Sequence, residues 1–391
     1  MSIQIFQLRC LYSMSSGHLK ASFLLALVAF CAVAQPSALR DPHHKAEVDA
    51  LFAQWDKPDS PGCAVGIIKD GVLIHARGFG MANLEHGISI MPTTVFDIGS
   101  CSKQFTAFSI LLLEKQGKLS LDDDIRKFVP EIPDFGHAIL IRHLLYHTSG
   151  LRNYVTLLER EGKHTEDLAT DADALAVLAK ERDLNFVPGE KHRYSNTGYF
   201  LMALVVKKVS GESLRDFARK NIFEPLGMTH SHFHNDHTMI VKSRATGYSP
   251  LSGGGFGIEM SNWEHLGDGS LMTTVEDLVK WDQNFYDGKV GGKDVMARLE
   301  IPGRLDDGTK LNYGGGLIIG EYEGTRMIHH GGAWAGYRSH ILRFPERRLS
   351  FIVLGNLSSL DAWNLAGKVS LLFFPADVEP STEKTAERSR K

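Results

Sequence analysis

Segments with the pattern of β-strands stand near both ends of this chain, and helical patterns fill the long stretch between them. On the N-terminal side, two β-rich runs flank Asp70-Gly71, a strong signal for a hairpin turn. Four more strand candidates come late in the chain: LIIGEY, TRMIHH, YRSHILRF and LSFIVLGN. The short connections between them favour antiparallel pairing. This order predicts one sheet that is built from both ends of the chain.

The middle of the chain has the periodicity of amphipathic helices. Apolar residues recur at helical spacing in SKQFTAFSILLLEKQGKL, DADALAVLAKERD, YFLMALVVKKVSG, SLRDFARKNIFEPLG and TTVEDLVKWDQNFYDG. A last helix is predicted over 360–374. We therefore expect an α+β fold, in which an antiparallel sheet flanked by helices carries an inserted, mostly helical domain. One domain is expected over 40–375, with its sheet at about 40–120 and 305–375 and its helical part at about 121–304.

The first 34 residues have the features of a secretory signal peptide. The apolar run ASFLLALVAFCAVA follows positive charge and ends in an A-x-A pattern at Ala34. The run is too short to span a bilayer. We expect cleavage after Ala34, a secreted or periplasmic mature protein, and no transmembrane anchor. The polar segment 376–391 is expected to be a disordered tail.

The composition limits the classes of partner. With 391 residues, 43% of them hydrophobic, the chain can bury a large core. Its formal net charge is −3, and no long basic run occurs outside the two ends. Because a nucleic-acid surface needs clustered positive charge, we expect no nucleic-acid partner.

Two cysteines, Cys63 and Cys101, lie beyond the predicted cleavage site. A disulfide between them is chemically allowed outside the cytosol. Two buried free thiols are the commoner arrangement in a chain of this length. The sequence leaves the choice open.

The segment GSCSKQF, at 99–105, places three possible nucleophiles directly before a lysine. If Ser100 opens a helix, Ser100 and Lys103 share one face, so the hydroxyl and the amine can meet. Cys101 then lies about 100° around the helix, and Ser102 points to another face. The N-terminus of a helix also favours negative charge developing on the hydroxyl. The spacing favours Ser100 as nucleophile, and an N-capping serine beside a solvated lysine is the structural alternative.

Two later segments supply groups that would complete a site around this serine. Tyr194 and Asn196 form a Y-x-N motif at a predicted loop-to-helix junction, where a phenol can pass a proton and an amide can bond substrate and lysine. His330-Gly331-Gly332 is predicted to end a strand and to leave its backbone open to a substrate. The structural alternatives are a buried tyrosine with a helix cap and a glycine-rich strand connection.

The order S-x-x-K, Y-x-N and K/H-x-G resembles the serine hydrolases related to class C β-lactamases, DD-peptidases and family VIII carboxylesterases. The resemblance runs from about Glu47 to Asn356. It extends to the flanking segments VFDIGSCSKQFTA, GKLSLDDDIRKFVPEIP, IRHLLYHTSGL, FVPGEKHRYSNTGYFLMALVV, IFEPLGMTHS and GSLMTTVEDLVKW. It implies a β-lactamase/transpeptidase-like fold, with the site between the sheet and the helical domain.

The resemblance also implies a role for each motif residue. Ser100 attacks a carbonyl and becomes acylated, and Asn196 positions substrate and lysine. Lys103 accepts or relays the serine proton. Tyr194 is the other candidate base and the expected proton donor to the leaving group, so the identity of the base stays open. No metal or other cofactor is implied.

The oxyanion hole is implied to lie between the nucleophile and the third motif. Its two donors would be the backbone N–H groups of Ser100 and of Ala333. Ala333 comes directly after His330-Gly331-Gly332, so Gly332 and His330 are expected to line the same part of the site.

Two departures from the family pattern bear on the substrate. β-Lactamases of this class usually carry a lysine where this chain has His330, and a histidine with an ordinary pKa of about 6.5 is mostly neutral at pH 7. Binding of a substrate carboxylate should weaken unless Arg338 compensates, which favours esters or amides without that carboxylate. Asp268 stands where relatives often have glycine, and its carboxylate favours an amine-bearing substrate.

A metal enzyme is the main alternative chemistry. The segment HSHFHNDH places His230, His232, His234 and His237 close together, and alternate histidines on a strand share a face. The spacing matches no catalytic zinc signature such as H-E-x-x-H, so a His-rich surface segment is the preferred interpretation. An α/β-hydrolase is disfavoured because the chain has no G-x-S-x-G.

The sequence therefore predicts an exported serine hydrolase that cleaves an ester or amide bond, including one next to a D-amino acid, through a Ser100 acyl-enzyme. The expected substrate is a small-molecule ester or amide or a peptidoglycan-type peptide. A D-Ala-D-Ala carboxypeptidase, a penicillin-binding protein or a class C-like β-lactamase is the alternative. A non-catalytic acylation sensor or binding protein is the alternative of another class.

Overall fold

The computed structural model of the protein describes residues 42–322 and 324–374. The predicted signal peptide 1–34 and the predicted tail 376–391 lie outside the described residues. Within those two ranges, no helix combines the length and the apolar character that crossing a membrane requires.

The described part of the chain contains strands at both ends and helices mainly in between. The strands are β1 (Cys63–Lys69), β2 (Val72–Phe79), β3 (Met81–Asn83), β4 (Ile88–Ser89), β5 (Phe96–Asp97), β6 (His232–Phe233), β7 (Tyr248–Pro250), β8 (Phe256–Ile258), β9 (Leu271–Thr273), β10 (Ile318–Tyr322), β11 (Thr325–Trp334), β12 (Tyr337–Phe344) and β13 (Leu349–Gly355). The helices are α1 (Pro42–Phe52), α2 (Lys103–Lys115), α3 (Ile141–Leu145), α4 (Tyr154–Arg160), α5 (Asp171–Ala179), α6 (Asn196–Ser210), α7 (Leu214–Ala218), α8 (Glu224–Leu226), α9 (Val275–Asp287), α10 (Gly292–Leu299) and α11 (Ala362–Leu371).

Six strands form one antiparallel sheet in the order β10-β11-β12-β13-β1-β2. β1 pairs with β13 along its whole length, so the two ends of the chain meet inside the sheet. The predicted hairpin between β1 and β2 is confirmed. Its turn residues Asp70 and Gly71 both have positive φ, 52° and 79°, as a type I′ turn requires. The α+β fold with a sheet built from both ends is therefore confirmed.

Helices cover both faces of this sheet. In β1, Ala64 and Ile68 belong to the larger core cluster, whereas Val65 and Ile67 belong to a smaller cluster on the other face. This alternation follows from the two-residue period of a strand. The smaller cluster includes residues of α1 and α11, and the larger one includes residues of α2 and α6. Coverage of both faces explains why β1 has an almost continuous apolar sequence.

Helix α2 lies at the centre of the larger cluster. Its first eleven residues, 103–113, are all buried. It packs against α6, α7 and α10, and the turn before it packs against β11. A helix that is buried on every side fixes the position of its N-terminus, so the segment that carries Ser100 and Lys103 is held between the sheet and the helices.

Strand β11 corrects one prediction. The sequence predicts that a strand ends at His330-Gly331-Gly332, but β11 continues to Trp334 and stays paired with β12. Strand β10 pairs with β11 only from Thr325 to His329. In the described part of the chain, no strand is paired with that edge of β11 beyond His329. The third motif therefore lies within a strand whose one edge is open.

Two helix predictions also differ from the structure. The segment predicted as one helix in SLRDFARKNIFEPLG is divided into α7, a π-helical turn over Arg219–Phe223, and α8. Pro225 has no backbone N–H, so it cannot continue the regular hydrogen-bond ladder. The last helix, α11, is shorter than the predicted 360–374 and begins after Asp361, whose side chain caps it by accepting from the Asn364 N–H.

Candidate active site

Ser100 lies in a 3₁₀ turn, Gly99–Ser102, that leads directly into α2. Gly99 has a φ of 49°, and its N–H donates to Oδ1 of Asp97 at 2.7 Å. A Cβ on Gly99 would lie 2.8 Å from the backbone nitrogen of Ala333. Glycine therefore allows both the left-handed conformation and the close approach of this turn to β11.

Gly332 of the third motif allows the same close approach from the side of β11. A Cβ on Gly332 would overlap the carbonyl oxygen of Ile98. The Ser339 hydroxyl, on the neighbouring strand, donates to the same carbonyl at 2.7 Å. The backbone of β11 is thus packed directly on the turn that carries Ser100, with Ala333 next to it.

Cys101 is held on the buried side of the same turn. Its Sγ lies 3.1 Å from the carbonyl oxygen of His330 and 3.3 Å from Oγ of Ser339. Burial raises the pKa of this thiol to about 12, so it stays protonated. A buried protonated thiol is a poor nucleophile. Cys63 and Cys101 are both free and buried, which resolves the open choice in favour of two thiols.

The side chain of Lys103 is completely buried next to Ser100. Its Nζ lies 3.0 Å from Oγ of Ser100, 2.9 Å from Oδ1 of Asn196 and 2.6 Å from the backbone oxygen of Asp268. Burial lowers the pKa of Lys103 to about 8, and the negative charge of Asp268 opposes part of that shift. Desolvation disfavours the charged form of an amine, so a sizeable neutral fraction exists near neutral pH.

The three partners of Lys103 determine what its neutral form does. The Asp268 backbone oxygen and the Asn196 Oδ1 can only accept hydrogen bonds. A neutral amine has two N–H groups for these two acceptors, which leaves its lone pair directed at Ser100. The Ser100 hydroxyl then donates to Lys103, as a nucleophile does to its base.

Tyr194 and Asn196 lie where the sequence predicts, at a loop-to-helix junction, because α6 begins at Asn196. Tyr194 is 42% exposed. Its ring centroid is 5.0 Å from Nζ of Lys103. Burial raises the pKa of Tyr194, although a hydrogen bond with Ser100 opposes the shift. The phenol is therefore protonated when Lys103 is partly neutral.

His147 is a neighbour of Tyr194 that lies outside the three sequence motifs. The two ring centroids are 4.3 Å apart, and Nδ1 of His147 accepts from the Ser195 N–H at 3.2 Å. His147 has a φ of 57°, and burial holds its pKa well below the usual value. The neutral ring thus supports Tyr194 by packing. It lies in the segment IRHLLYHTSGL, but a single histidine there gave no separate signal.

His330 is buried and neutral. Its Nδ1 is 2.7 Å from the carbonyl oxygen of Gly331, so Nδ1 must carry the proton. Nε2 then accepts from the hydroxyl of Tyr313 at 3.1 Å. Burial, aided by the charge of Lys103, lowers the pKa of His330 to about 3. This side chain therefore supplies no positive charge at neutral pH.

Arg338 is not brought to the Ser100 pocket. Its guanidinium donates to the carbonyl oxygens of Ala335 and Tyr337, at the turn beyond β11. It is absent from the residues that line the pocket around Ser100. In this structure, Arg338 does not replace the charge that His330 lacks.

The pocket beside Ser100 has an empty volume of about 370 Å³. Its lining contains Gly99, Ser100, Tyr154, Asn196, Trp263, His265, Asp268, Gly269, Ser270, Ala333 and Trp334. Asp268 is the one acidic residue of that lining, as expected from its position in the sequence. Burial raises the pKa of its carboxyl group, and Lys103 opposes the shift.

The four histidines of the segment HSHFHNDH, which are the candidate metal ligands in the sequence, do not share their contacts. His232 and His234 are a pair, with 3.4 Å between ring nitrogens, and burial lowers the pKa of each to about 4. His237 instead contacts Glu264, at 2.9 Å. His230 is exposed. The four side chains therefore do not form one ligand set.

Comparison with known proteins agrees with this geometry. The sequence model of the family described as Beta-lactamase matches residues 48–365. The chain is 30% identical over 342 residues to a D-aminopeptidase of Gluconobacter oxydans (strain 621H), covering 87% of this chain and 64% of that protein. It is 30% identical over 302 residues to penicillin-binding protein 4* of Bacillus subtilis (strain 168), and this match covers 73% of this chain and 66% of that protein. The chain thus spans about two thirds of the length of these curated relatives.

A solved structure shows the same architecture. The octameric penicillin-binding protein homologue from Pyrococcus abyssi superimposes with a TM-score of 0.72 at 30% identity. The match covers 85% of this chain and 77% of that one.

Proposed function

This chain belongs to the beta-lactamase family and is a serine hydrolase, and from that premise we propose that it cleaves amide bonds of small substrates through an acyl-enzyme on Ser100. The observation that carries the proposal is the 3.0 Å contact between Nζ of Lys103 and Oγ of Ser100. The lysine is buried and has a lowered pKa, which is what a base at neutral pH needs.

In the first step, neutral Lys103 takes the hydroxyl proton of Ser100 while Oγ bonds to the substrate carbonyl carbon. The carbonyl oxygen becomes an oxyanion between the backbone N–H groups of Ser100 and Ala333. Loss of one such donor typically costs about 10²–10³ in rate. Asn196 and the Asp268 carbonyl hold the resulting ammonium of Lys103, because both are acceptors.

In the second step, the C–N bond breaks and the leaving amine takes the proton of the Tyr194 hydroxyl. The Lys103 ammonium then returns a proton to the phenolate of Tyr194, which restores both groups. Water then attacks the acyl carbonyl, with the same groups working in reverse, and Ser100 is regenerated. The raised pKa of Tyr194 suits a proton relay that starts protonated and supports Lys103 as the base.

The neutral His330 argues against a β-lactam as the substrate. Its tautomer is fixed by Gly331 and Tyr313, and it places no cation where a substrate carboxylate would bind. Arg338 supplies none either. The name D-aminopeptidase, borne by a 30% identical relative, supports amide hydrolysis as the activity of this chain.

We infer that the enzyme acts outside the cytoplasm as one domain over 40–375, after removal of segment 1–34. This inference rests on the sequence of that segment. N-terminal sequencing of the protein secreted by its host is the test, and an N-terminus at Gln35 is expected.

The proposed function is tested with three substrates: D-alanine p-nitroanilide, p-nitrophenyl butyrate and a chromogenic cephalosporin. The full chain should hydrolyse the anilide and the ester much faster than the cephalosporin. Ser100→Ala should abolish all three reactions, whereas Ser102→Ala, whose hydroxyl accepts from the Leu271 N–H, should retain most activity. Mass spectrometry should detect the acyl group on the peptide that contains Ser100.

Several outcomes contradict the proposal. Full activity in Ser100→Ala removes the nucleophile assignment. Fast cephalosporin turnover supports a β-lactamase instead. A stable adduct on Ser100 without turnover supports an acylation sensor.

A further inference from the structure

We propose that Asp268 and the aromatic walls of the pocket beside Ser100 bind the free α-ammonium group of the substrate. The enzyme would then require an amino group on the carbon next to the scissile carbonyl, as in an unblocked peptide or an amino-acid amide. The inference deepens the proposed function, since it rests on Ser100 as the acylated residue.

The position of Asp268 fits this role. Its backbone oxygen is 2.6 Å from Nζ of Lys103, which in turn lies 3.0 Å from Oγ of Ser100. Asp268, Asn196 and Ser100 line the same pocket. A substrate carbonyl at Ser100 and an ammonium at Asp268 would therefore occupy one pocket.

The carboxylate of Asp268 has few donors of its own. The Tyr154 hydroxyl donates to Oδ1 and Oδ2 at 3.1 Å each. Among the residues in the described ranges, no arginine or lysine forms an ion pair with this carboxylate. A buried carboxylate with a neutral donor is incompletely compensated. An ammonium in the pocket would supply both the missing charge and further hydrogen bonds.

A second acceptor in the pocket is independent of Asp268. Nε2 of His265 is 2.7 Å from the carbonyl oxygen of Thr170, so the proton lies on Nε2 and Nδ1 is an acceptor. That Nδ1 is buried and has no hydrogen-bond partner in the described part of the chain. Burial lowers the pKa of His265 to about 4, so the ring does not repel a cation at neutral pH. A substrate N–H is the group that such an acceptor lacks.

The remaining walls are aromatic faces and edges. The rings of Trp263 and Trp334 are 5.2 Å apart, and Tyr154 packs 5.1 Å from His265. Aromatic faces attract cations, most strongly when water is excluded. One carboxylate among aromatic rings is a common chemical solution for recognising an ammonium group.

The competing explanation is that Asp268 only balances the charge of Lys103. In that case its loss would weaken every substrate equally. Recognition of an ammonium instead predicts an effect on substrates that carry the amino group. The two explanations are separated by comparing D-alanine p-nitroanilide with N-acetyl-D-alanine p-nitroanilide.

The test measures kcat/KM of the full chain and of Asp268→Asn on both anilides and on p-nitrophenyl butyrate. The unaltered protein should prefer the free amine over the acetylated anilide by at least about 30-fold, the scale of one buried charge pair. Asp268→Asn should lose most of that preference, and its kcat/KM for the butyrate ester, which carries no amino group, should change much less than its kcat/KM for the free-amine anilide. Asp294→Asn, an exposed control whose carboxylate contacts Lys115, should behave like the unaltered protein.

An equal loss on all three substrates, or an unchanged preference, overturns the proposal. If Asp268→Asn does not fold, Asp268→Glu keeps the charge and should retain preference for the amine, and inhibition of the unaltered protein by D-alaninol but not by N-acetyl-D-alaninol should still be seen. Failure of the proposed function is distinguishable, because the unaltered protein would then hydrolyse none of the three substrates through Ser100.

Discussion

The Nζ atom of Lys103 lies 3.0 Å from Oγ of Ser100, and the two other partners of that amine are pure acceptors. This arrangement couples the protonation of Lys103 to the direction of the hydrogen bond with Ser100. When the amine is charged, it donates to the serine; when it is neutral, it accepts. The proposed mechanism therefore requires the form with neutral Lys103.

Replacement of Lys103 by methionine should remove the base while filling nearly the same buried volume. We expect kcat/KM for p-nitrophenyl butyrate to fall by about 10³-fold, within the range of general-base effects. Circular dichroism should show an unchanged fold, since the substitution is apolar and the site is buried. Activity within tenfold of the unaltered protein would exclude Lys103 as the base.

The pH dependence of hydrolysis should report the pKa of Lys103. Because burial lowers that pKa to about 8, log kcat/KM should rise with a slope of about +1 below pH 8 and level off above it. No decline from Tyr194 is expected below about pH 10, because burial raises its pKa above the ordinary value. The measurement uses the uncharged butyrate ester, corrected for spontaneous hydrolysis. A plateau that is already complete at pH 6.5 would contradict Lys103 as the group that titrates.

The parts of this structure that the sequence could predict depend on local chemistry. The turn at Asp70-Gly71 follows from which residues tolerate positive φ, and the meeting of Ser100 and Lys103 follows from the spacing of one helical turn. The order of the strands at both ends is enough to predict the sheet.

The parts that the sequence could not predict depend on contacts between distant segments. Glycines disfavour strands, so Gly331 and Gly332 suggested a strand end. Both continue β11 by pairing with β12, and at Gly332 the Ile98 carbonyl leaves no room for a side chain. The hydrogen bond of His330 with Tyr313, which fixes the neutral tautomer, likewise depends on the fold and not on a motif.

Replacement of Gly332 by alanine should separate β11 from the turn that carries Ser100. Its Cβ would overlap the Ile98 carbonyl oxygen, and overpacking of this kind typically costs about 1–3 kcal/mol. We expect a lower midpoint temperature of unfolding and a loss of activity larger than the loss of stability explains, because the Ala333 N–H would move away from the proposed oxyanion hole.

Gly367→Ala is the matched control for Gly332→Ala. Gly367 lies in α11 with no atom near the added Cβ, so alanine there should stabilise the protein by about 0.5–1 kcal/mol. Equal effects of the two substitutions would contradict this account.

Ionisation of the buried Asp97 carboxyl group should make the folded protein less stable as pH rises. Burial raises its pKa from 3.8 to about 7 in the folded state, and nearby Asp268 adds to the shift. Between these two pKa values the folded state binds more protons than the unfolded state, so the free energy of unfolding falls with increasing pH across this window.

Asp97→Asn resembles the protonated carboxyl group and can still accept from the Gly99 N–H through its side-chain oxygen. The variant should therefore melt at a higher temperature than the unaltered protein at pH 8 and at nearly the same temperature at pH 4. Scanning calorimetry of both proteins across this range is the measurement. A variant that is less stable at pH 8 would show that the ionised carboxylate, through its contact with Gly99, stabilises the turn that carries Ser100.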